Sequence, residues 1–371
     1  MPKKVKVMSI FGTRPEATKM VPLVKALAAH PNVESIVCVS AQHRQLLDEV
    51  INPLGIIPDY DLNLMRQGQS LPELTARVIT GMDAIIKEAK PDWVLVHGDT
   101  ATTMAASLAT YFNEVKLGHV EAGLRTYNKY EPFPEEINRR VAGVIADLHF
   151  SPTELTRQNL LKENIPAENI FVTGNTGIDL MKHTVQDDYT FQNEDFAKLD
   201  YTKQRIILMT AHRRENWGQP MENMFRAIRR LADDFTDVSI VYPVHPNPVV
   251  KDCANKLLSG HPRIKLTEPV NVFDLHNMMN RCHMVLTDSS GIQEEAPALN
   301  KPVVVMRGVT ERPEGEAAGT LVLAGTDETR VYDTVKRLLT NETEYKRMAE
   351  APNPFGDGNA SGRIVEAILK W

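Results

Sequence analysis

No apolar run in the 371-residue chain approaches the ~20 residues that a bilayer span requires, so no transmembrane helix is expected. Cysteine is scarce. Cys38, Cys253 and Cys282 are scattered without metal-ligand spacing, fit a reducing cytoplasm, and are each read as buried structural residues. There is no surplus of basic charge: 42 Lys and Arg against 48 Asp and Glu leave a net charge of −6, which argues against a sequence-independent nucleic-acid binder. The Gly-x-Gly-x-x-Gly spacing is missing after the first strand pattern and the glycines form no Walker A loop, so NAD and ATP chemistry lack support. The histidines lie on separate strands with no recurring short-range pair, and no metal site is expected. The start, "MPKKVKVMSIFG", places basic residues before apolar ones as a signal peptide does. Its apolar run is short, however, and Arg14, Glu16 and Lys19 stand where a cleavage region belongs, so it reads as a first strand.

What is present is ordinary for a soluble globular enzyme, 42% hydrophobic and 24% charged, in a chain long enough for two domains. Short β-branched runs alternate with helical patterns. The strand candidates are "VKVMSIFG", "ESIVCVS", "DWVLVHGD", "VKLGHVEAG", "ADLHFSP" and "NIFVTGN", then "RIILMTAH", "VSIVYPVH", "IKLTEPV", "HMVLTDSSG", "PVVVMRG" and "GTLVLAG". Between them Met20, Leu23, Val24 and Leu27 show the spacing of one helix face. Such alternation means parallel sheets covered by helices on both sides. With the polar stretch 186–204 between the two sets, the expected architecture is two Rossmann-like, doubly wound α/β domains facing a cleft. The first domain is expected over 1–172 and completed by a C-terminal helix in 354–371; the second is expected over 173–353.

Ligands of open parallel sheets bind beyond the carboxyl ends of the strands. Those ends deliver Gly12-Thr13-Arg14-Pro15-Glu16, His97-Gly98-Asp99-Thr100, His119, Glu121, Gly123 and Arg125 in the first half. In the second half they deliver His212-Arg213-Arg214, His245 and Asp288-Ser289-Ser290-Gly291. The gathering of His, Arg and carboxylates on six rims suggests one shared site. "TRPE" supports two readings, a capping box of Thr13 with Glu16 or anion binding by Arg14. "DSSGIQEEA" likewise supports a helix start capped by Ser289 or Ser290, or a phosphate seat with Glu294 or Glu295 one turn in to meet ribose hydroxyls. Asp99 is read as a cap for the helix near Thr100 or as a functional acid, and His97 as a satisfied core histidine. Glu135 and Glu136 favour a helix N-terminus at "FPEEINRR".

The strings "FGTRPEATKM", "HGDT", "HVEAGLRT", "PFPEEINRR", "GNTGID", "AHRREN", "YPVHPNP", "DSSGIQEEA" and "RGVTERPE" run in order through the chain, which closely resembles the non-hydrolysing UDP-N-acetylglucosamine 2-epimerases of bacteria. The resemblance implies a glycosyltransferase-B fold and reversible C2 epimerisation to UDP-N-acetylmannosamine, supplying polysaccharide or cell-wall polymer synthesis. It implies a cytoplasmic homodimer with no cofactor. The implied catalytic residues are Asp99, Glu121, Glu135 and His212. Arg14, Lys19, Arg213, Ser289, Ser290, Gly291 and Glu295 would bind the nucleotide sugar, with Ser289 and Ser290 on phosphate and Glu295 on ribose. Gln42, His43, Gln45, Gln69, Arg213 and His245 match a second site at which substrate activates some members. One departure is Ser290, where the family usually has glycine; its side chain either crowds the phosphate or adds a hydroxyl donor.

That chemistry suits the residue set. The C2 proton is not flanked by a carbonyl, so it becomes removable only as the C1–oxygen bond breaks. Elimination of UDP gives a glycal, and re-addition follows protonation from the other face. Cations must steady the leaving diphosphate and acid/base groups must stand on both faces of C2. The rivals are a hydrolysing epimerase that releases UDP and free N-acetylmannosamine, a glycosyltransferase of the same fold, and a nucleotide-sugar-binding regulator.

Overall fold

The computed structural model describes residues 3–40, 44–64 and 68–371, without the side chains of 44–46. It divides into two units, 1–183 with 355–371, and 184–354.

The first unit holds β1 (Val5–Phe11), β2 (Val33–Val39), β3 (Tyr60–Asp61), β4 (Trp93–His97), β5 (Lys116–Val120), β6 (Leu148–Ser151) and β7 (Ile170–Val172) in one sheet. Their order is β3-β2-β1-β4-β5-β6-β7, and every described pairing is parallel. The second unit holds β8 (Arg205–Thr210), β9 (Val238–Pro243), β10 (Ile264–Thr267), β11 (Met284–Thr287), β12 (Val303–Val305) and β13 (Leu321–Leu323), ordered β10-β9-β8-β11-β12-β13 and again parallel. All twelve strand patterns are strands. The two-residue β3 had no pattern of its own to announce it.

Period-two alternation puts the side chains of β8 on two opposite faces, and both are buried. Ile207 and Met209 join the core cluster of Met224, Phe225, Ile228 and Leu231, whereas Ile206 and Leu208 pack with Phe191, Phe196 and Met278. The first of these clusters uses one face of the helix Gln219–Asp234, apolar at 221, 224, 225, 228 and 231. Truncating Phe225 to alanine there would cost roughly 3–5 kcal/mol.

The stretch 186–204 is more than a polar spacer. Phe191 and Phe196 enter the second unit's core, and Asp274 accepts hydrogen bonds from Tyr189 Oη (2.9 Å), Gln192 N (3.0 Å) and Asn193 N (2.8 Å). The first boundary falls at 183/184, beyond the expected 172/173, because the residues after β7 hold the returning C-terminal segment. Asn175 N donates to Phe355 O at 2.7 Å, and Asp179 accepts from Ala360 N at 3.1 Å and Ser361 N at 2.6 Å. Among the described residues no helix is long and apolar enough to cross a membrane.

Candidate active site

Each sheet reverses its strand order once, between β1 and β4 in the first unit and between β8 and β11 in the second. At such a point the loops leave toward opposite sides and open a crevice at the carboxyl ends. The polar residues gather at these two places.

After β1, Gly12 passes so close to β2 that a Cβ on it would lie 1.9 Å from Ser40 Oγ. Thr13 then caps the helix Arg14–Ala29, and both halves of the capping box are formed. Glu16 does more than capping requires. Its Oε2 accepts from Gly12 N (2.9 Å), Thr13 N (2.8 Å) and Thr13 Oγ1 (2.9 Å), and its Oε1 from Thr100 Oγ1 (2.7 Å) and Thr103 Oγ1 (3.2 Å). Burial raises its pKa even against these donors. Glu16 thereby ties the loop after β1 to the helix start after β4. Arg14, the first helical residue, is half-buried and makes no ion pair among the described residues.

The loop after β4 brings Asp99. Thr100, and not Asp99, caps the following helix, with Thr103 N donating to Thr100 Oγ1 at 3.1 Å. The Asp99 carboxylate instead pairs with Arg139, which also reaches Glu136 Oε2 at 3.5 Å. Burial raises the Asp99 pKa; Arg139 pulls it back, and the charges of Glu121 and Glu135 push it up again. Glu135 is the first residue of the helix Glu135–Ile145 and is half-buried. Its neighbour Glu136 is fully buried and accepts from Thr126 N and Tyr127 N, both at 3.1 Å, so it anchors a loop.

Glu121 follows β5 in left-handed backbone, φ +62°, a strained position for a residue with a side chain. Its carboxylate pairs with Lys19 and accepts from Asn175 Nδ2 at 3.2 Å. His97 is not the satisfied core histidine expected. It is buried, its Nε2 faces Glu121 Oε2 at 3.8 Å, and that nitrogen has no hydrogen-bond partner among the described residues. Burial holds its pKa down at about 4, so the ring is neutral beside the carboxylate at pH 7.

In the second unit Asp288 directly follows β11 and has no exposed surface. It accepts from His212 N (3.1 and 2.9 Å to its two oxygens), Arg213 N (2.9 Å) and Asn216 Nδ2 (3.3 Å), and it stands 3.2 Å from His212 Nδ1. Burial alone would raise its pKa, but the His212 side chain and the backbone donors outweigh burial and hold it below the usual carboxylate range. An ionised carboxylate only accepts, so Nδ1 of His212 carries its proton toward Asp288, and in the neutral ring Nε2 then presents its lone pair. The His212 ring stacks on His245 at 5.5 Å, and burial, then His212, lowers the His245 pKa. The rest of the charged loop is committed to holding it: Arg214 lies over the Trp217 ring, Glu215 accepts from Arg307 Nε at 2.7 Å, and Asn216 Nδ2 donates to Met306 O at 3.2 Å.

The helix Ser290–Ala298 starts after Ser289, whose side chain makes no capping bond. Ser290 Oγ receives Arg213 Nη2 at 2.7 Å and donates to Glu311 Oε2 at 2.8 Å; Gly291 follows it in the first turn. Of the two glutamates one turn in, Glu294 is turned inward and paired with Arg312, while Glu295 stands 3.6 Å from His276 Nε2. Gln69 accepts from Arg77; Gln42 and His43 lie outside the described residues, as does the side chain of Gln45.

Sequence reading put Asp288 on a rim without giving it a role, and passed over Arg139 and Asn175 as site residues. Each lies inside a quoted motif, and Arg139 is one helical turn past Glu135, yet only the pairing across strands shows what they hold. Among the described residues no three His, Cys, Asp or Glu side chains are grouped to hold a metal ion.

The chain is similar to known proteins along nearly its whole length. The model of the family described as UDP-N-acetylglucosamine 2-epimerase matches residues 25–369. The UDP-N-acetylglucosamine 2-epimerase of Bacillus subtilis is 56% identical over 367 residues, covering 99% of this chain and 96% of that protein. The structure of S. aureus MnaA with UDP is 53% identical with a TM-score of 0.89, covering 98% of this chain and 96% of that one. That of UDP-GlcNAc 2-epimerase from Neisseria meningitidis bound to UDP-GlcNAc is 44% identical with a TM-score of 0.89, covering 99% and 100%. The two parallel-sheet units therefore have the glycosyltransferase-B class of fold.

Proposed function

The chain belongs to the UDP-N-acetylglucosamine 2-epimerase family, and from that premise we propose that it interconverts UDP-N-acetylglucosamine and UDP-N-acetylmannosamine without releasing the sugar. The observation that carries the reading is the pair Asp99 and Glu121, two acids on one rim in unlike settings, one held by Arg139 and the other by Lys19, Asn175 and a neutral His97. A reaction that takes a proton from one face of C2 and returns one to the other needs two such groups.

In this reading the C1–oxygen bond breaks with its electron pair leaving on UDP, and a rim carboxylate takes the C2 proton. The glycal so formed is protonated on the opposite face, and UDP adds back to C1. Asp99 and Glu121 serve the two faces, and Glu135 adds negative charge where positive character develops. Arg14, Lys19 and Arg213 steady the departing diphosphate, which the uncapped N-terminus of the helix Ser290–Ala298 also favours through Ser289, Ser290 and Gly291, and His212 serves as an acid/base group through its Nε2 lone pair. Glu295 takes the ribose hydroxyls. Activation by substrate through Gln42, His43, Gln45, Gln69, Arg213 and His245 belongs to the same proposal. So does a cytoplasmic homodimer feeding polysaccharide or cell-wall polymer synthesis; the exposed Ile137 and Val144 on one helix support a covered face.

Proton NMR of UDP-N-acetylglucosamine in deuterium oxide tests the reading. Deuterium at C2 together with new UDP-N-acetylmannosamine is expected, and Asp99→Asn and Glu121→Gln are each expected to slow it by roughly 10²–10⁴. Free UDP and free sugar as main products would instead make the enzyme hydrolysing. Absence of exchange by the folded protein, activator included, would end the epimerase reading.

A further inference from the structure

The seat at the start of the helix Ser290–Ala298 already holds an anion. Glu311 Oε2 accepts from Ser290 Oγ at 2.8 Å and lies 3.9 Å from Arg213 Nη2, and Glu311 Oε1 lies 3.7 Å from Arg307 Nη2. Ser290, two arginines and an uncapped helix start are what a phosphate would meet there. Arg307 is an independent sign of a ligand. It is 3% exposed, its Nη2 lies within 3.7 Å of Glu311, and its Nη1 has no hydrogen-bond partner among the described residues. A buried guanidinium left short of acceptors fits a site built to receive more negative charge than Glu311 brings.

The loop is built so that Glu311 can leave alone. Its neighbours are fastened to the same helix by other bonds: Thr310 Oγ1 to Gln293 Oε1 at 2.5 Å, and Arg312 to Glu294. The Glu311 side chain is half exposed and has solvent to turn into. We propose that Glu311 is an internal competitor for the diphosphate seat, resting on Ser290 and the two arginines until a ligand's phosphate displaces it. It thereby sets how much negative charge a ligand must carry to occupy the seat. This inference rests on the diphosphate reading of that helix start.

Inorganic pyrophosphate and UDP, titrated calorimetrically into the full-length protein and its Glu311→Gln variant, provide the test. Removing the competitor is expected to tighten both ligands about tenfold, the scale of one charged hydrogen bond. A supporting structural role for Glu311 predicts the opposite sign. Unchanged or weaker pyrophosphate binding in the folded variant would overturn the proposal. A crystal structure with UDP bound gives a second reading: the Glu311 carboxylate must have left Ser290 Oγ, and finding it still bonded there beside a seated diphosphate would overturn the proposal independently. Epimerisation with no Glu311→Gln effect removes this inference alone. Tighter pyrophosphate binding by a protein that never exchanges C2 removes the epimerase reading and leaves the seat.

Discussion

Replacing Asp288 by asparagine should disable His212 without moving it. The carboxylate takes two backbone N–H groups, from His212 and Arg213, and meets His212 Nδ1 at 3.2 Å. Asparagine keeps one acceptor oxygen, enough for the two backbone donors that converge on Oδ2 at 2.9 Å each. Its amide nitrogen then faces Nδ1, donor against donor. The imidazole escapes by moving its proton to Nε2, so the nitrogen that offered a lone pair now offers an N–H. The loss of one charge-assisted bond should cost about 2 kcal/mol of stability. The inverted tautomer should cost far more in rate: the same exchange in a Ser-His-Asp triad drops turnover by ~10⁴. We expect a fall in kcat of roughly 10²–10⁴ with KM changed by less than about threefold, because the ground-state contacts survive. Turnover by NMR and urea unfolding read the two effects separately. An Asp288→Asn enzyme with kcat within threefold of the parent would refute the claim that Asp288 sets the proton of His212. The acid side has a definite sign as well. The folded pKa of Asp288 is lowered, so its contribution to stability is present at neutral pH and drains away as pH falls through that folded value.

Glu16→Gln should be mild and Glu16→Ala severe. The Gln oxygen can serve Gly12 N and Thr13 N while its amide donates to the Thr100 and Thr103 hydroxyls, which accept as well as donate, whereas Ala strands all of them at a cost of roughly 3–5 kcal/mol; urea melts that fail to separate the two variants would defeat the account. The first unit should also be labile to acid. Burial depresses His97, His119 and His149 to about 4, 3 and 4 from 6.5, so each stabilises the fold fully above about pH 6.5 and loses that contribution as pH falls toward its folded value. Near pH 5.5 each should have lost about 1.4 kcal/mol, and a pH series of urea midpoints flat from 7.5 to 5.5 would contradict this.

Local pattern carried much of the protein. The twelve longer strands, the helix face of Met20, Leu23, Val24 and Leu27 and the Thr13–Glu16 cap were legible because each is set by neighbours within a turn or by the alternation of a strand. The rims were legible too, since parallel strands end on one side. What the sequence by itself determined, then, was the class of fold, the side of each sheet at which the polar residues gather and the residue types placed there. Partner choice was decided only by the tertiary structure. Lys19 and Glu121 are 102 residues apart, His212 and Asp288 76, and Asp99 and Arg139 40. Whether a carboxylate meets a lysine, an arginine or a histidine depends on which strands the crossovers set side by side, β1 with β4 and β8 with β11. That order is fixed by how long-range helix packing closes each sheet, and no local period in the chain records it.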